Sequence, residues 1–142
     1  MKTLLILVVC MLGFSGIECM CILNTLDADE KACADPLNLD GDAILNFYQT
    51  NSDSPIFADY INCIFPKWNF AASDGTILFD NIIASDDLPW FIARMCQDVV
   101  NLIIKEREEY RKSAIYCKKH PPVIVTAATV RKCIADNYKP AQ

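Results

Sequence analysis

Residues 85–122 read SDDLPWFIARMCQDVVNLIIKEREEYRKSAIYCKKHPP, and the way this run folds decides the class of the whole chain. Ser85, Asp86 and Asp87 supply a capping residue and an acidic first turn. Pro89 is tolerated that early, because the first helical amides have no partner to lose. Lys118, Lys119 and His120 put positive charge at the other end, where the helix dipole favours it, and Pro121–Pro122 stops the run. Between these signals Ile92, Met95, Cys96, Val99, Ile103, Tyr110, Ala114 and Cys117 recur at helical spacing. The pattern predicts one long helix over about 86–119, central through VVNLII and lying on the surface through KEREEYRK.

The segments on either side read as shorter helices. GDAILNFYQ is a helix opened by Asp42, and SPIFADYINCIF is capped by Ser54, started by Pro55 and ended by Pro66. Ile56, Tyr60 and Ile64 form the stripe of that second helix, with Phe57 and Ile61 beside it. TAATVRKCIADNY, capped by Thr126, carries Val130, Cys133 and Ile134 on one face. TILFDNIIA suits a helix or a strand, and VIVT suits a strand or extended chain. No strand pattern has an obvious partner, so the expected class is all-α, four to six helices around the 86–119 helix.

The start of the chain adds a compartment. Met1 and Lys2 precede TLLILVVCMLGF, and small residues follow, which is the pattern of a secretory signal peptide. The apolar core is too short for a span of roughly 20 residues, and no later segment reaches that length. Cleavage after Ser15 leaves seven cysteines and cleavage after Cys19 leaves six. An oxidising compartment pairs thiols, so even parity favours the cut after Cys19. The expected domains are therefore 1–19, a leader, and 20–142, one secreted helical domain. Its roughly 123 residues suffice for a real core.

The six cysteines that remain are Cys21, Cys33, Cys63, Cys96, Cys117 and Cys133. On one helix, Cys96 and Cys117 share a face but stand ~31 Å apart along the axis. A disulfide needs α-carbons about 4.4–6.8 Å apart, so these two cannot pair with each other. Of the fifteen connectivities open to six cysteines, twelve survive, and each end of the long helix is pinned to a different element.

Chemistry is sparse. The net charge of -5 argues against a nucleic-acid ligand, which calls for a clustered basic face, and against cationic membrane-disrupting peptides. The single histidine, His120, would have to serve any triad, and its position suits a helix C-terminus better. No Gly-x-Ser-x-Gly occurs, and the cysteines are needed for bridges, so no enzyme is expected. PLNLDGDA matches a calcium loop at Asn38, Asp40 and Gly41, but Pro36 and Phe47 stand at the two essential ends. No metal or other cofactor is expected. The acidic CILNTLDADEKACADP reads as a solvated helix face, with a docking patch for a basic partner as the sharper alternative.

What remains is an aromatic surplus spread over every segment. It fills a core or lines a pocket between helices for an apolar ligand. Helix faces nominate Phe57, Tyr60, Phe79, Phe91, Met95, Val99 and Tyr110 as pocket residues. An acidic, helical, exported chain with six cysteines resembles in architecture the insect odorant-binding proteins, a likeness that implies a carrier of small apolar molecules. The cysteine spacing departs from that family: Cys33 and Cys63 lie in different segments, and no Cys-x-x-x-Cys is present. The expected function is a secreted, monomeric binding protein for a small hydrophobic ligand. The rivals are a secreted protein that acts through its surface on a protein partner, and an antimicrobial defence protein.

Overall fold

The computed structural model describes residues 25–85 and 100–139. Within them the protein is all-α and carries two disulfides. The helices are α1 (Ala28–Ala34), α2 (Gly41–Gln49), α3 (Pro55–Lys67), α4 (Phe79–Ala84), α5 (Val100–Lys119) and α6 (Ala127–Asn137), with a 3-10 turn at Asp35–Leu37 after α1. The expected leader, Cys21, and the first part of the predicted 86–119 helix with Cys96 lie outside the described residues.

The ends of these helices show which local signals operate. Asp27 caps α1 in a reciprocal box with Glu30: each side chain accepts from the other's amide, at 2.8 and 2.9 Å. Thr126 caps α6, as its sequence predicts, and trades hydrogen bonds with Thr129. Thr126→Ala is expected to lower stability by about 1 kcal/mol, and Thr126→Ser to restore most of it, read from urea midpoints. The cap of α2 is Asp40 rather than Asp42, because the Asp40 carboxylate reaches the Ala43 amide at 2.8 Å while Asp42 already lies in the first turn. Pro66 does not end α3 but sits in its last turn, which closes at Trp68.

Three helical runs stop at an asparagine in the left-handed region: Asn38, Asn51 and Asn69, at φ 55, 47 and 59°. Each closes a Schellman motif, in which the following amide returns to a carbonyl one turn back. The bonds are Leu39 to Ala34, Ser52 to Phe47 and Phe70 to Phe65, at 3.1, 2.9 and 2.8 Å. The apolar contact that accompanies this motif is present after α3, where Phe65 and Phe70 pack edge to face at 5.7 Å. The ambiguous 76–84 stretch divides: Ile77 bridges to Ala71 in an extended turn, and α4 begins at Phe79. Residues 123–126 form neither strand nor helix but a bent loop.

α3 lies at the centre. Phe57, Tyr60, Ile61, Ile64 and Phe65 are all buried, and α3 packs against both α1 and α6. The second half of α5 is more deeply set than its charge suggests. Glu106, Tyr110, Ser113, Ala114 and Cys117 are buried, and the helix packs between α4 and α6. The disulfides join neighbours: Cys33–Cys63 ties α1 to α3, and Cys117–Cys133 ties α5 to α6. Cys117 thus takes its partner, Cys133, from another element, α6.

Candidate functional site

The aromatic residues proposed for a pocket separate once they are folded. Phe57, Tyr60 and Tyr110 are core residues, and Phe79 is half-buried at the edge of the core. Phe91, Met95 and Val99 lie outside the described residues. The core rings fill space against one another. Phe57 stacks on Phe47 at 5.1 Å, meets Tyr48 edge-on at 5.0 Å and lies 6.3 Å from Tyr60.

Burial leaves its mark on these tyrosines. It pushes the Tyr110 phenol well above its ordinary range, and does the same to Tyr48, where the charge of Tyr60 adds to the effect. A phenol whose pKa is raised in the folded state contributes stability that is complete below the unfolded pKa, near 10, and is lost as pH rises beyond it. Alkaline unfolding is therefore expected to begin above about pH 10. Tyrosinate absorbance should rise together with the loss of far-ultraviolet ellipticity. The measurement is made on Tyr116→Phe, which lacks the exposed phenol, and there tyrosine ionisation well before helix loss would contradict this burial.

A recess opens on the other side of Phe57, between the start of α3 and the start of α6, with a volume of ≈ 190 Å³. Phe57, Ala58, Ile61 and Ala128 give it apolar walls. Ser52, Ser54 and Thr129 add hydroxyls, and Asp53, Arg131 and Lys132 add charge. Of the residues proposed from sequence, Phe57 lines this cleft.

Arg131 is its most unusual member. Ala127, Val130 and Ile134 are the buried stripe of α6, and Arg131 falls on the same face, only 7% exposed. Its guanidinium lies 4.9 Å over the Phe57 ring, a cation–π contact. Nη1 donates to Asn51 Oδ1 at 2.6 Å and Nη2 to the Ser52 carbonyl at 3.1 Å. Burial pulls the guanidinium's pKa down, opposed by Tyr48, Asp53 and Asp136. The left-handed Asn51 thus also serves the cleft, since its Nδ2 donates to Asp136 at 2.6 Å. Lys132 bridges Asp53 and Asp136, at 3.3 Å from each.

Sequence reasoning missed this group, although one signal was visible: a charge at the i+4 position of an otherwise apolar i, i+3, i+4, i+7 stripe. Among the described residues, no three His, Cys, Asp or Glu side chains gather as metal ligands, and no helix is long and apolar enough to cross a membrane. His120 ends α5, where its amide donates to the Tyr116 carbonyl at 2.9 Å and its ring stacks on Tyr116 at 4.5 Å. Compared with protein-family models, with curated proteins and with solved structures, the chain matches none.

Proposed function

We propose that the protein is an exported extracellular binding protein that takes a small, largely apolar ligand into the cleft between α3 and α6. The observation that carries this reading is the cleft itself: an apolar-walled recess beside a core already filled by its own rings. The binding role first given to an interior aromatic pocket passes to this cleft, and Phe57 is common to both. Two disulfides among the described residues support export, since such bridges persist in oxidising compartments. With the leader cut after Cys19, the cysteines left over are Cys21 and Cys96.

The test is displacement of a fluorescent apolar probe by candidate ligands, on the oxidised secreted chain and on Ala128→Trp, which fills the cleft from its half-buried rim. Probe uptake by the parent and its loss in Ala128→Trp is the expected result. Uptake unchanged by the tryptophan would move the site elsewhere.

A second reading, action on a protein partner through the surface, is favoured by the loop after α5. Val123, Ile124 and Val125 are consecutive and exposed, Val123 completely. No probe uptake, together with a captured partner that Val123→Asp/Ile124→Asp releases, would favour this reading.

A further inference from the structure

We infer that the cleft is built for an amphiphilic carboxylate, a short acyl chain with an anionic head, and that Arg131 recognises the head. The inference rests on the cleft being the binding site and adds the chemical class of what enters it. Arg131 is more than nine-tenths buried, yet both of its hydrogen bonds go to neutral oxygens, of Asn51 and Ser52. Among the described residues its Nε has no partner. A guanidinium has five N–H donors, so three remain beyond those two bonds. The carboxylates that favour its charge, Asp53 and Asp136, are each held by Lys132. A buried charge without a directly bonded counterion is unfavourable, and a ligand carboxylate supplies one with bidentate geometry.

The start of α3 points the same way. Ser54 makes no side-chain cap, and Pro55 at the first helical position brings no amide. The N-terminal end of a 13-residue helix, with its partial positive charge, therefore meets the cleft at Ser54 and Phe57. Asp53, on the rim, is engaged by Lys132. Phe57, Ala58, Ile61 and Ala128 then receive the chain. The volume is below the ~300–1,000 Å³ of drug-sized pockets, which suits a chain of several carbons rather than a long one.

The experiment compares octanoate with 1-octanol by calorimetry on the oxidised full chain at neutral pH. Octanoate is expected to bind at least about tenfold more tightly. Arg131→Gln should remove that preference, and Arg131→Lys should keep part of it. Equal affinity of the parent for the two ligands would overturn the carboxylate inference and leave the apolar cleft standing. Binding of neither would bring down both. Should Arg131→Gln fail to fold, amide shifts on adding octanoate to the parent decide. Shifts centred on Ser54, Phe57 and Thr129, and lost in Ala128→Trp, support the site, and shifts elsewhere overturn it.

Discussion

Phe57→Ala is expected to cost about 3–5 kcal/mol of stability, at the upper end for a single core truncation. The ring is 1% exposed, so its apolar surface is fully withdrawn from water. Around it stand Phe47, Tyr48 and Tyr60, whose rings would face a void that rigid neighbours close only in part. The Arg131 guanidinium would also lose the π face beneath it while remaining buried. Phe57→Leu separates these terms. It keeps most of the volume and removes the quadrupole, so its smaller loss, about 1–2 kcal/mol, measures the aromatic and cation contacts. Urea unfolding gives both values, with a lowered midpoint and an unchanged slope. A loss below about 2 kcal/mol for the alanine variant would mean that α3 is not the packing centre, since truncations of buried Phe rarely cost so little.

How much of this was legible depends on the range over which each feature is encoded. The start of α3 at Ser54–Pro55 and the cap of α6 at Thr126 rest on residues one to three positions apart, and sequence suffices for them. Asp40 and Asp42 are equally good capping types on either side of Gly41, and only the backbone path chooses Asp40. The left-handed asparagines were missed for a related reason. Asparagine populates that region less freely than glycine, so Asn69 reads as a helix stop only once Phe70 is seen to fold back onto Phe65. The second half of α5 was read by its charge, but Glu106 and Ser113 join Tyr110, Ala114 and Cys117 on the inward side. Its neighbours α4 and α6 cover a wider face than the apolar stripe predicts.

The cleft depends on longer range still. Arg131 on the apolar stripe of α6 was visible, but its acceptors, Asn51 and the Ser52 carbonyl, come from the turn between α2 and α3, 80 and 79 residues earlier. No local pattern links a turn to a helix so far along the chain. Aromatic content pointed to a pocket because rings line pockets and fill cores with the same residues. What separates the two uses is whether rings contact one another, and Phe57, Tyr48 and Phe47 do.

Removing either disulfide is expected to lower stability by about 3–4 kcal/mol, because each closes a loop in the unfolded chain whose entropy is then regained. The separations are 30 residues for Cys33–Cys63 and 16 for Cys117–Cys133, so the first should matter slightly more. The folded state sharpens the contrast. Helix α1 has seven residues, far fewer than an isolated helix needs, and it is held by the bridge and by packing on α3. Helices α5 and α6 are longer and share a buried face through Ala114, Val130 and Ile134, so they remain docked without their bridge. Cys33→Ala/Cys63→Ser should therefore speed amide exchange throughout α1 as well as lower the urea midpoint. Cys117→Ala/Cys133→Ala should lower the midpoint while α5 and α6 stay protected. Equal protection of α1 with and without its bridge would show that packing on α3 alone holds it, and the two disulfides would then act only on the unfolded chain.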